Sequence, residues 1–421
     1  MKNASAQSCK QHLLRGFQEC RASTLALFEN LDEATFRKQV HPEFSPVGWH
    51  LGHIAMTEGL WILEKLAGVS TSTLYPEYRK LFNADGLPKC DRGPNLPPIP
   101  ELYDIVHSIR DRVLAYLEIA PIEKQERLWR FILQHECLHY ETTAFILQLR
   151  KQAGQKYRFP FPSEQPTSDP LKAEMIEIPA GEFEMGNNSV AAMDNERPAH
   201  RVYLDTYWID RYPVTCGQYR QFMADGGYQN ESWWSEAGWK WLQEHPVSQP
   251  LYWDDSTQWN NYPVSGVSLY EADAYARYLG KQLPTEAQWE KAASWDAKIG
   301  RRRTYPWGEE MPSSDRCNCH GIVGQTTPVN AYPTGQSAYG LYDTLGNIWE
   351  WTSSLFEPYD GFIWYPYPGY SQAYFDNQHR VQKGGSWIAH PWLMRVSFRS
   401  WYPPETRHIF VSFRCVSSSP L

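Results

Sequence analysis

The stretch RFPFPSEQPTSDP, residues 158–170, constrains the fold of this chain more than any other feature. Its four prolines remove backbone donors and clash with a preceding helical turn, so no helix crosses it. The patterns on its two sides differ. Upstream, four segments place apolar residues at three- and four-residue intervals, at 12–31, 48–68, 101–118 and 126–151. Amphipathic helices of that length predict a four-helix bundle, with the proline-rich 93–100 as one long connection. Downstream, from about Glu174, short alternating pieces, frequent Gly and Pro and many Trp replace the helical period.

The reading is therefore an α+β chain: a helical bundle over 1–157, a linker over 158–173 and a loop-rich α+β domain over 174–421. In the second part 174–186 and 200–215 each alternate like a strand. Two helices are expected, one opening at Ser268 as its cap and one with a Thr285-to-Gln288 capping box.

Composition narrows the function. A net charge of −8 with no Lys/Arg block argues against a nucleic-acid surface. The N-terminus lacks an apolar signal core and no stretch is long enough for a membrane span, so a cytoplasmic protein without membrane partners is expected. The eight cysteines are scattered and are read as reduced, with Cys317-Asn-Cys319-His320 taken as a polar loop. Aromatic residues reach 15 %, more than packing alone requires.

The chemistry concentrates in HECLHYE, residues 135–141. His135 and His139 are four apart in a helical stretch and share a face, as two ligands of one ion would. The string is also the HExxH of zinc proteases, in which Glu136 would be the general base. A third ligand is at hand in GWHLGH, where His50 and His53 fall on the second helix. Facing helices of a bundle are about 8–10 Å apart, close enough for His53 to complete a facial triad. Three neutral imidazoles on one side of an ion suit iron(II) oxygen chemistry as well as zinc hydrolysis.

Two resemblances extend this reading. IPAGEFEMG, PVSGVSLYEADAYARYLGKQLPTEAQWEKAA, GLYDTLGNIWEWTSS, KGGSW and FVSFRCV, in that order, resemble the formylglycine-generating-enzyme-like (C-type-lectin-like) domain over roughly 174–418. Ala389 and Met394 stand where copper-dependent members carry two cysteines, so a Cu(I) thiolate site is not expected. With W-x-L-G-H on one helix and H-x3-H-x-E on another, the first half is similar to a DinB-like bundle, and the combination resembles the ergothioneine sulfoxide synthase family, whose relatives include ovothiol and selenoneine synthases.

The resemblance implies Fe(2+) held by His53, His135 and His139, with Glu141 as a partner that orients a ligand. It implies hercynine (N-trimethylhistidine), a thiol donor and O2 as substrates, joined through a carbon–sulfur bond at C2 of the imidazole to give a sulfoxide. It places a proton-donating tyrosine at Tyr365 or Tyr367, basic contacts for the donor's carboxylates at Lys89 and Arg92, and the substrate pocket around Ser400, Trp401 and Tyr402. Three departures matter: Leu138 where many members have Gln, and Ser400 and Tyr402 where Asn and Asp are common. They leave the donor open between cysteine, γ-glutamylcysteine and, for a selenoneine synthase, a selenosugar. The zinc hydrolase and a non-catalytic binding module are the alternatives from other classes.

Overall fold

A computed structural model describes residues 2–69, 75–152 and 171–420, so most of the expected linker lies outside the described residues. The chain divides into two compact units, Met1–Pro160 and Phe161–Leu421.

The first unit is helical. Its long elements are α1 (Lys2–Phe28), α3 (Val47–Glu58), α6 (Ile99–Ile119) and α7 (Ile122–Gln152), with short helices α2 (Glu33–Arg37), α4 (Pro76–Phe82) and α5 (Lys89–Arg92) in the connections. α6 stops because Ala120, preceding Pro121, is held extended at ψ 138°. α7 starts at once after a two-residue joint, and both helices pack against α1 and α3. The core is the apolar stripe of each helix: Leu13 and Phe17 from α1, Leu51 and Ile54 from α3, Ile105 and Ile109 from α6, Trp129 and Leu133 from α7, all buried.

The helix expected over 48–68 changes character midway. Beyond Glu58 it continues as π-helix over Gly59–Leu66. A π segment turns the side chains that follow relative to an α-helix, and such segments recur beside functional sites.

The second unit combines small sheets with helices α8 (Cys216–Ala224), α9 (Glu236–Glu244), α10 (Leu269–Tyr278) and α11 (Glu286–Ser294). Its strands are β1 (Met175–Ile178), β2 (Gly181–Met185), β3 (His200–Leu204), β4 (Tyr207–Asp210), β5 (Trp295–Asp296), β6 (Arg301–Arg302), β7 (Trp349–Leu355), β8 (Arg380–Lys383), β9 (Ser400–Tyr402), β10 (Val411–Ser412) and β11 (Val416–Ser417). Sheets β1-β4-β11 and β10-β7-β8-β9 are joined by the ribbons β2-β3 and β5-β6. Both expected caps form: Ser268 accepts from the Glu271 N–H, and Thr285 and Gln288 make a reciprocal capping box.

Two expectations need correction. The stretches 174–186 and 200–215 are not single strands; each splits into two that enter different sheets. Pro179 has no N–H to give a ladder and Gly181 takes a φ of +140°, which together turn the chain between β1 and β2. Cys317 and Cys319 do not form a polar loop. They are 2 % and 1 % exposed and pack with Tyr305, Leu345, Ala389 and Met394, behaving as small apolar side chains.

Candidate metal centre

The centre lies within the helical unit. Nε2 of His135 is 3.2 Å from Nε2 of His53 and 3.2 Å from Nε2 of His139, and the three ligand atoms lie within 4.8 Å of one another. His135 and His139 share a face of α7 by helical period, and α3 packs against α7 to bring His53 opposite them.

What directs these rings is local. The Nδ1 of His53 is 2.7 Å from the carbonyl oxygen of Phe82. A carbonyl only accepts, so the proton sits on Nδ1 and Nε2 presents a bare lone pair to the shared point. Gly52 makes this approach possible: a Cβ there would be 2.1 Å from the Phe82 ring. Trp49 stacks on His53 at 4.5 Å and 13°, while its indole N–H donates to the Leu81 carbonyl at 2.6 Å. Nδ1 of His139 faces Nδ1 of His50 at 2.9 Å.

Burial, the largest influence on each ring, lowers its proton affinity. It holds His53 at about 4 and His50 at about 3, the latter helped by the neighbouring His53, and it takes His135 and His139 well below the ordinary histidine value. All four are neutral at pH 7, the state a metal ligand needs. Neutral, convergent imidazoles, buried at His135 and largely so at His53 and His139, fit a divalent transition metal and would leave room on one side of it for further ligands.

Glu136 turns away from this point, about 100° round the helix from His135. Its carboxylate accepts from Arg21 Nε at 2.7 Å and from Arg110, and both arginines also reach Glu58, at 3.0 and 2.9 Å. Burial pushes the Glu136 carboxyl up, but Arg21 and Arg110 outweigh it and hold it at about 2. A carboxylate with both oxygens engaged and so low a proton affinity cannot serve as general base. The zinc-protease reading of HExxH is overturned.

The other expected residues fall as follows. Glu141 is buried on α7, where helical geometry sets it about 200° round from His139. Lys89 donates to the Glu43 carbonyl at 2.7 Å on the surface. Arg92 is corrected: rather than an open fork for a substrate, it is 4 % exposed and donates to the Leu87 carbonyl, the Ser45 hydroxyl and the Ala84 carbonyl, with its guanidinium 4.0 Å over Trp49. It thereby braces the ring that stacks on His53.

Tyr365 and Tyr367 lie in the second unit on the loop between β7 and β8, where the backbone N–H of Tyr365 donates to Asp194 at 3.1 Å. Trp401 stacks on Phe356 at 4.3 Å and 9°, whereas Ser400 and Tyr402 point to the opposite face of β9 by strand alternation. A Cβ added at Gly385 would lie 3.5 Å from Ala389 and 3.7 Å from Met394, two side chains of one apolar cluster.

Sequence reasoning did not identify Arg21, Glu58, Arg110 or the Phe82 carbonyl, and it placed His50 without assigning it a part. Only His50 left a signal, its place three residues before His53 in WHLGH.

Comparison with known proteins bears on both units. Residues 160–419 match the sulfatase-modifying factor enzyme 1-like domain, and residues 17–143 match the DinB superfamily. The hercynine oxygenase of Mycolicibacterium smegmatis is 36 % identical over 418 residues, covering 94 % of this chain and 96 % of that protein. The hercynine oxygenase of Mycobacterium tuberculosis is 35 % identical, covering 96 % and 97 %. An inactive C-alpha-formylglycine-generating enzyme 2 from Bos taurus is 31 % identical over 58 % of this chain and 88 % of its own length. Among the described residues no helix is long and apolar enough to cross a membrane. With two units matched in this order and both hercynine oxygenases aligned almost end to end, the chain belongs to the hercynine oxygenase family, a DinB-type helical unit followed by a sulfatase-modifying factor enzyme 1-like domain.

Proposed function

We propose that this chain is a non-haem iron(II), O2-dependent oxidoreductase that forms a carbon–sulfur bond at C2 of the imidazole of hercynine, a sulfoxide synthase of ergothioneine-type biosynthesis. The observation that carries the reading is the convergence of the His53, His135 and His139 Nε2 atoms in a chain so similar to proteins named hercynine oxygenase. Iron(II) bound there would supply one-electron chemistry with O2 and favour the thiolate form of the donor.

The protein's own part is to position. His53, His135 and His139 would hold the ion through neutral imidazoles, so that reacting groups bound beside it would be gathered rather than awaited. In this reading Tyr365 or Tyr367 is the proton donor, Lys89 the contact for a donor carboxylate, and Ser400 and Tyr402, on one face of β9, the hercynine contacts, with Trp401 behind them against Phe356. Glu141 orients the ligand helix, and aromatic faces suit the trimethylammonium group. The carbon–selenium alternative draws no support from the relatives, whose names specify hercynine alone.

The test uses protein purified without O2, loaded with iron(II) and exposed to air with hercynine. Cysteine, γ-glutamylcysteine and selenoglucose are supplied in parallel, and products are read by mass spectrometry. A sulfur adduct that disappears in His139→Ala is expected. Stoichiometric zinc with unchanged activity would overturn the iron reading, and unchanged turnover in His139→Ala would return the chain to a binding role.

A further inference from the structure

The rings of His53 and His139 are supported in different ways. His53 is held by a carbonyl, which permits one tautomer only. His139 is held by another imidazole, Nδ1 to Nδ1 at 2.9 Å, and one proton must lie between the two nitrogens. If that proton belonged to His50, His139 would carry its own on Nε2, aimed at His135 and at the point where a cation would sit. His139 is a ligand only in the opposite arrangement, donating from Nδ1 to a bare Nδ1 of His50, whose own proton then lies on Nε2, a buried atom with no hydrogen-bond partner among the described residues. His50 is 5 % exposed, so bulk water cannot take its place, and it is pinned edge-on against Trp49 with ring centroids 5.4 Å apart.

We infer that His50 is a positioning residue: accepting from His139, it fixes the tautomer and the aim of that ligand and so tunes metal affinity. The inference rests on the proposed metal centre. It gives the WHLGH segment three separate tasks, His53 as ligand, Trp49 as the plate against its ring, and His50 as the acceptor behind the second ligand.

Two substitutions separate an acceptor from mere bulk. His50→Asn places a carbonyl oxygen near the position of Nδ1, whereas His50→Phe keeps a ring and removes the acceptor. Cobalt(II) serves as the probe in the full chain, read by binding titration and by its visible ligand-field bands. Loss of an outer-sphere partner weakens metal binding by about 10–100-fold, and that is expected for His50→Phe, with displaced bands. His50→Asn should stay within a few-fold of the parent, roughly the scatter of a retained hydrogen bond.

Affinity and bands unchanged in His50→Phe, or lost equally in both variants, would overturn the inference. A parent protein that binds no cobalt(II), or binds it equally well as His139→Ala, would sink the metal centre itself, which keeps the two failures distinct. Long-range 15N–1H spectra of the zinc-loaded parent give an answer even where a variant does not fold. The proton is expected on His139 Nδ1, and finding it on His50 Nδ1 would refute the assignment.

Discussion

The two units bury polar groups by contrasting means. In the helical unit three buried imidazoles and a partly buried fourth lie in the same helices as one buried cluster of two arginines and two glutamates, gathered from α1, α3, α6 and α7. In the second unit buried charges are paired mainly with arginines of one C-terminal stretch: Arg395 with Glu196, Arg399 with Glu286 and Arg414 with Glu350. Helices satisfy their own backbone, so the bundle can devote its polar interior to a site. Short strands and long loops leave a chain that must be tied down, and bidentate arginine pairs such as Arg414 on Glu350, at 2.6 and 2.7 Å, do that.

This contrast has a pH signature of opposite sign, and it is the largest effect expected. His50 and His53 are depressed from 6.5 to about 3 and about 4. Below 6.5 the unfolded chain binds protons that the folded unit refuses, so the helical unit loses stability as pH falls, by roughly 3 kcal/mol for the two rings together between pH 6.5 and 5. In the second unit burial raises Asp343 from 3.8 to about 8, against its hydrogen bond with Asn347. Its contribution is fully present below 3.8 and is lost as pH rises through about 8, so moderate acidification strengthens that unit. Arg395 and Arg399 outweigh burial and lower Glu196 and Glu286 from 4.5, so those pairs begin to lose stability only below 4.5. Hydrogen exchange on the metal-free full chain at pH 7.5 and pH 5, corrected for intrinsic rates, should show α3 and α7 losing protection while β7 and β8 keep or gain it. Parallel changes in both units would break the comparison.

Next in size is the charged cluster. Glu136→Ala leaves Arg21 and Arg110 with Glu58 alone, and an uncompensated buried charge costs about 3–5 kcal/mol. The exposed pair of Arg15 with Glu19, one turn apart on α1, provides the reference, and Arg15→Ala should cost less than about 0.5 kcal/mol. Urea unfolding measures both. A Glu136→Ala protein as stable as Arg15→Ala would show that the cluster contributes nothing.

How much of this was legible follows the same division. The long helices could be read because a 3.6-residue period survives in the sequence, and the pair His135 and His139 because four residues make a turn. The π continuation past Glu58 has no such period, and it went unseen. In the second unit alternation marks strands but not where they break, so the stretch around Pro179 read as one strand although its halves join different sheets. The family resemblance put Arg92 among the substrate contacts; its burial against Trp49 depends on packing that no local pattern records. The Phe82 carbonyl could not be found at all, since every residue has one.

Glycine gives the sharpest small comparison. Gly280 ends α10 in a Schellman turn, its N–H donating to the Arg277 carbonyl and that of Lys281 to Ala276, with φ +66° and open space around the missing Cβ. Gly280→Ala therefore strains only the backbone, at about 1–2 kcal/mol for a left-handed residue, and should leave metal binding in the other unit untouched. Gly52 is the converse, an ordinary helical position whose Cβ would strike the Phe82 ring at 2.1 Å. Overpacking of this kind costs about 1–3 kcal/mol, a range that overlaps the first, so stability alone does not tell the two apart. Metal affinity does. Displacing Phe82 moves the carbonyl that sets the His53 tautomer, so Gly52→Ala should weaken cobalt(II) binding well beyond its effect on melting temperature, while Gly280→Ala lowers the melting temperature alone. Equal metal affinity in the two variants would mean that the closeness of α3 and α4 serves packing and not the ligand.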